Sequence, residues 1–172
     1  MPRTAQDEWN QATRLLEAAE IGHLATRPTG GLVSERRTLD EQLRATDDAD
    51  AVELSARDRA LAQTRLARLD AALDRQTSHA LLRAQAEPPG YLVALLGPRP
   101  TGQHTTAWDD AARRVELYRH HHVGLPHGTP AIPGDADPAR AALGNRPPDP
   151  RAAAAYDQAH QLRPALDPQL QL

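Results

Sequence analysis

The stretch Ser55-Ala56-Arg57-Asp58-Arg59-Ala60-Leu61-Ala62-Gln63-Thr64-Arg65-Leu66-Ala67-Arg68-Leu69-Asp70-Ala71-Ala72-Leu73 continues to Gln85 with no Gly, Pro, Val or Ile. Leu61, Ala62, Leu66, Leu69, Leu73 and Ala80 recur at three- and four-residue spacing, which places them on one face of a helix. Ser55 with Asp58 three residues on supplies a cap and a first-turn acid, so a helix is expected from Ser55 to about Gln85. Working outward, Thr4 to Ala25 carries Trp9, Ala12, Leu16 and Ala19 at the same spacing, with Leu15 beside them. This predicts a first helix ending before Arg27-Pro28-Thr29-Gly30-Gly31. A second helix is expected from about Ser34 to Thr46, using Leu39 and Leu43.

The whole chain has the same bias. Among its 172 residues are 32 Ala and 23 Leu against five Val and two Ile, and the aromatics are Trp9, Trp108, Tyr91, Tyr118 and Tyr156. Sheets favour β-branched and aromatic residues, so the expected fold class is all-α, with a core thin in large side chains. Thirteen of the 15 prolines and six of the eight histidines lie from Pro88 onward. A boundary is therefore expected near Glu87. Residues 1–87 should form a helical hairpin or small bundle with coiled-coil character, and residues 88–172 a Pro-rich tail of short helices.

Composition also removes chemistry. There is no Cys and no Lys, so disulfides, thiolate metal sites, Schiff bases and the phosphate-binding Lys of a P-loop are excluded. All 20 basic residues are Arg against 23 acids, a net charge of -3, which offers no basic domain for nucleic acid. Met1 to Asn10 is polar and no apolar run approaches membrane-spanning length, so a cytoplasmic chain without a membrane partner is expected. Ser34, Ser55 and Ser78 stand in no G-x-S-x-G, and no catalytic triad or acid-base pair can be assembled.

The tail contains an internal repeat. Leu96-Gly97-Pro98-Arg99-Pro100 followed by Ala107-Trp108-Asp109-Asp110-Ala111 returns as Leu143-Gly144-Asn145-Arg146-Pro147 followed by Ala155-Tyr156-Asp157-Gln158-Ala159. Each unit reads as a helix stop at Gly, an extended X-Pro turn, and a new helix whose first aromatic folds back over the turn. Asp137-Pro138 and Asp149-Pro150 read as helix starts. Arg99 and Arg146 are expected to bond the exposed carbonyls of the preceding helix. Trp108, Ala111, Ala112, Val115 and Tyr118 form a stripe expected in the core, while Arg113, Arg114 and Arg119 are expected on a solvated face with Asp109, Asp110 and Glu116.

Tyr118-Arg119-His120-His121-His122, with His127 nearby, is the one group of side chains that could hold a metal. Consecutive residues on a helix diverge by about 100°, so only His120 with His122, or a chain reversal bringing in His127 or His104, could converge. The preferred reading ends a helix at the triplet, with partly cationic imidazoles at the negative end of its dipole.

The run from Glu87 to Pro100, continued by Ala107-Trp108-Asp109-Asp110-Ala111-Ala112 and Val115-Glu116-Leu117-Tyr118-Arg119, resembles the C-terminal region of actinobacterial TrwC/TraA-type (MobF) conjugative relaxases. Leu143-Gly144-Asn145-Arg146-Pro147-Pro148-Asp149-Pro150 is similar to the turn that follows in those proteins. The likeness spans roughly residues 87–160. It implies a place in plasmid and conjugative DNA transfer, with a relaxase, helicase or coupling-protein element as partner. The family's nicking and unwinding motifs have no counterpart here, so the expected role is a non-catalytic interaction module without a cofactor. Alternatives are a small DNA-binding accessory protein and a His-cluster metal-binding protein. Arg99, Trp108, Arg146 and Tyr156 are the structural and interaction residues of the repeat.

Overall fold

The computed structural model describes residues 4–45 and 55–161. Among these the chain is helical throughout: α1 (Ala5–Leu24), α2 (Thr29–Ala45), α3 (Ala56–Ala86), α4 (Gly90–Leu96), α5 (Thr105–Tyr118), α6 (Pro138–Leu143) and α7 (Pro150–His160). A 3-10 turn at Gly102–His104 precedes α5 and a π turn at Arg119–Val123 follows it. The all-α expectation holds, and no strand occurs among the described residues.

The start signals act as read. Ser55 Oγ accepts the Asp58 amide at 3.2 Å, and Thr4, not among the expected caps, closes a capping box with Asp7 at the start of α1. Asp137 and Asp149 accept the amides of Ala139 and Ala152 at 3.0 and 2.8 Å, each ahead of a Pro in the first turn. Thr46, the expected end of the second helix, lies outside the described residues.

α3 is the spine. Its 31 residues make a rod of about 46 Å, enough to serve two separate clusters. Leu69, Ala72 and Leu73 close on Leu24, Leu32 and Val33 of the first two helices, and the Gln76 amide holds the α1–α2 turn by donating to the carbonyls of Ala25 and Arg27. Ala84, with Leu81 packed against it, belongs to the second cluster, among Tyr91, Leu92, Leu95, Trp108, Val115, Tyr118, Leu143 and Tyr156. The boundary expected near Glu87 therefore does not separate the cores. The last two turns of α3 are built into the tail, because an unbroken Leu/Ala face continues past the point where composition changes.

Three expectations are corrected. α2 begins at Thr29 rather than near Ser34, since the Pro28 carbonyl accepts the amides of Gly31 and Leu32 and burial of Leu32 and Val33 holds that first turn in place. The Gly-Gly pair has a packing use: the α2 start meets the end of the π turn, where a Cβ on Gly124 would lie 2.9 Å from Gly30 Cα. Among the described residues most of the α1 stripe is left unburied. Trp9, Leu15 and Leu16 are 69%, 63% and 72% exposed, and only the last turn, through Ile21 and Leu24, reaches the core. Leu61, the first member of the α3 stripe, is likewise exposed.

Candidate functional site

In both repeat units the short helix ends on a glycine in a left-handed conformation, Gly97 at φ 79° and Gly144 at φ 78°, which a side chain would strain. The next residues run extended, and the arginine turns back onto the new helix. Arg99 grips Asp109 with Nε and Nη2, both at 2.8 Å, and Arg146 grips Asp157 at 2.9 and 2.8 Å. The expectation that these arginines bond helix-end carbonyls is thus corrected. A planar guanidinium fits both oxygens of a carboxylate, and the Asp directly after the aromatic puts one in reach. The pairing holds the carboxyls of Asp109 and Asp157 below their ordinary pKa.

Trp108 folds back as expected, its indole N–H donating to the Gly97 carbonyl at 3.1 Å while the ring is 1% exposed. Ala111, Ala112, Val115 and Tyr118 are buried with it. Tyr156, from the second unit, meets Tyr118 edge to face at 5.6 Å, and burial pushes the Tyr118 phenol up to about 12.

α5 and the π turn that continues it carry what the sequence reading assigned to solvent. Glu116 and Arg119 are both 0% exposed. The Tyr91 hydroxyl donates to Glu116 Oε1, and Arg119 donates to the carbonyls of Ala142 and Thr129 with its carbon 3.9 Å from the centre of the Tyr91 ring. Arg119 so ties the π turn to α6 and the loop before it. Burial works against a charged Glu116. His127, Tyr91, Arg119 and His120 overcome it, and the carboxyl stays below its ordinary pKa.

The periodicity held this information. Glu116 is four residues from Ala112, and Arg119 is four from Val115 and seven from Ala112, so both fall on the arc that buries its apolar members. Charge alone pointed outward. Arg113 and Arg114, outside that arc, are exposed as expected.

The histidines face different neighbours. His120 is buried with Nδ1 2.9 Å from the Glu116 carbonyl and 3.5 Å from its carboxylate. His127 Nδ1 stands 3.6 Å from the other carboxylate oxygen, an ion-pair distance rather than a hydrogen bond. His121 Nε2 lies 3.1 Å from Asp74 on α3, and His122 stacks on Tyr118 at 5.7 Å. His104 sits apart in the 3-10 turn. Glu116 brings His120 and His127 together, but His122 does not join them, and among the described residues no group of three or more His, Cys, Asp or Glu could hold a metal ion. The expected cationic character is corrected too. Burial lowers the pKa of His120, His121 and His122, which outweighs any gain at a helix end and keeps the triplet neutral near pH 7.

Among the described residues no helix is long and apolar enough to cross a membrane. Comparison with protein-family models, with curated proteins and with solved structures finds nothing that matches this chain.

Proposed function

We propose that this chain is a non-catalytic interaction module of conjugative DNA transfer that docks a helical element of a relaxase, helicase or coupling protein. The observation that carries the reading is the outer part of α1. It is anchored at its last turn, yet holds Trp9, Leu15 and Leu16 in water. Exposed aliphatic and aromatic groups grouped on one helix are the usual mark of a protein contact. Asp7, Glu8, Glu17 and Glu20 against Arg14 make this helix acidic, so it suits a partner helix whose apolar stripe is bordered by basic side chains.

The DNA-binding alternative loses a member of its cationic set. Arg119, expected beside Arg113 and Arg114 on a solvated face where phosphate could reach it, is buried with both terminal nitrogens on carbonyls. The metal alternative needs at least three converging ligands; His120 and His127 share Glu116, but His121 faces Asp74 and His122 stacks on Tyr118.

The test uses the intact chain and purified relaxase and coupling-protein segments at about 150 mM salt, where weak phosphate contacts are screened. Trp9 is exposed and Trp108 is buried, so a blue shift in tryptophan emission reports cover over α1. The expected result is saturable binding with that shift, lost in the double variant Trp9→Ser, Leu16→Ser. Salt-resistant binding to origin-region DNA, with none to either protein segment, would sink the proposal.

A further inference from the structure

A cleft of about 250 Å³ opens where α2, α5, the π turn and α7 meet. Arg36, Arg114, Tyr118, His121 and His122 line it, with Leu117 on the apolar side. No Asp or Glu is among its lining residues, although acids outnumber basic residues in the chain, 23 to 20. Arg114 is exposed and makes no ion pair among the described residues. Arg36 reaches Asp70 through Nε at 2.5 Å, which leaves its two terminal amino groups for another acceptor. The rings of Tyr118 and His122 stack on one another in the lining, centroids 5.7 Å apart and 25° from parallel, and the tyrosine is buried.

Both imidazoles come from the π turn and line the same space. Successive residues of an α-helix diverge by about 100°, and the wider turn changes that register; such turns recur at functional sites. The charges facing the two rings differ. His121 has Asp74 and Asp70 on α3 and Arg36 on α2 around it, and His122 has Arg36, Arg37 and Asp149. Both rings are neutral at pH 7, each with one N–H to donate, and each can take a proton when an anion arrives beside it.

We propose that this cleft binds a small phosphate monoester with a planar organic group. Arg114 and the terminal nitrogens of Arg36 hold the phosphate, and the ring continues the Tyr118–His122 stack on its His122 side. Two guanidinium groups match a doubly charged oxyanion better than a single carboxylate. The volume falls below the roughly 300–1,000 Å³ of sites for drug-sized ligands, which limits the occupant to about one ring. Arg36 lies on α2 while the other lining residues belong to the tail, so the ligand would join the two clusters of the fold.

The experiment titrates the intact chain with phenyl phosphate near pH 7 and follows the imidazole carbon-bound protons by nuclear magnetic resonance. The expected result is a saturable shift of His121 and His122 with none at His79, an exposed imidazole outside the cleft. Arg114→Ala should weaken binding about tenfold, the scale of one charge-assisted contact. Arg113→Ala, the exposed neighbour outside the lining, should leave it unchanged. Absence of saturation, or equal loss in the two variants, overturns the site. Benzoate binding as well as phenyl phosphate overturns the phosphate assignment. Binding of a 5′-phosphorylated oligonucleotide with no response to phenyl phosphate hands the cleft to nucleic acid instead.

Discussion

Gly97 and Gly144 adopt nearly the same left-handed geometry, and Arg99 and Arg146 each hold the aspartate after the next helix's aromatic through two hydrogen bonds of 2.8–2.9 Å. Beyond the turn the units part. In the first, the ion pair is 28% and 23% exposed, the indole is bonded to the turn, and α5 runs 14 residues into a buried ionic network. In the second, the pair is 57% and 42% exposed and α7 stops after 11 residues. The five-residue motif therefore specifies the chain reversal, while its neighbours decide how much burial the reversal supports. Geometry and stability are written in different residues.

The largest effect expected from this contrast is in the aromatics. Trp108→Ala removes the biggest fully buried side chain and its bond to Gly97, at a cost of about 3–5 kcal/mol. Tyr156→Ala removes a smaller ring at 7% exposure, and about 2–3 kcal/mol is expected. Urea unfolding midpoints of the two variants measure the difference. Equal losses would show that the second unit is as firmly packed as the first.

Next is Glu116, whose network only the first unit possesses. Glu116→Gln keeps the shape and an acceptor for Tyr91 but leaves the Arg119 charge buried without its counter-charge. About 2–3 kcal/mol is expected, against 3–5 for outright removal of a buried partner. Amide exchange should show the loosening at α5, the π turn and α6 before α7, since Arg119 ties the π turn to the Ala142 and Thr129 carbonyls. Uniform loosening would mean the network does not act locally.

The pH dependence has a definite sign. His120, His121 and His122 have folded pKa values lowered from 6.5, chiefly by burial, so the unfolded chain takes up protons first. Their contribution is present above about pH 6.5 and is lost as pH falls from there through the folded values. Thermal midpoints at about pH 7.5 and 5.5 should fall on acidification. His120→Gln should reduce the drop, and an unchanged drop would assign it to other groups.

The fold was legible where one face of a helix must be apolar for one reason. α3, the capped starts at Asp137 and Asp149, and the return of Trp108 all follow from spacing and local chemistry. The buried charges were not, because Glu116 and Arg119 obey periodicity and defy hydropathy, and only the carbonyls of Thr129 and Ala142, 10 and 23 residues away, account for the terminal nitrogens of Arg119. The stripe of α1 misled in the opposite way. Its spacing is as regular as that of α3, yet spacing alone does not say whether the surface it needs lies on the same chain. The cleft was not legible either, since Arg36 reaches it from α2 and Gln158 and Ala155 from α7, far apart in the sequence.

The smallest expected effect isolates the motif itself. Arg99→Ala and Arg146→Ala each remove one bidentate grip, and both arginines sit at the surface, where water competes for the carboxylate and side-chain ordering offsets much of the gain. Neither loss should approach that of Trp108→Ala. Arg99→Ala should be the larger, because Asp109 is the less exposed partner and also receives the Gln85 amide from α3 at 3.2 Å, a link Asp157 lacks among the described residues. Acid should act in the same order. Both aspartates have folded pKa values lowered by their arginine, so each grip contributes above the unfolded value near 4 and is lost as pH falls through the folded one. In the arginine variants that acid-dependent part of the stability should disappear, read as a flatter dependence of the urea midpoint between about pH 5 and pH 3. A flatter profile for Arg99→Ala than for Arg146→Ala is expected. The reverse order would mean that the exposed turn, and not the buried one, sets how firmly this motif holds the chain.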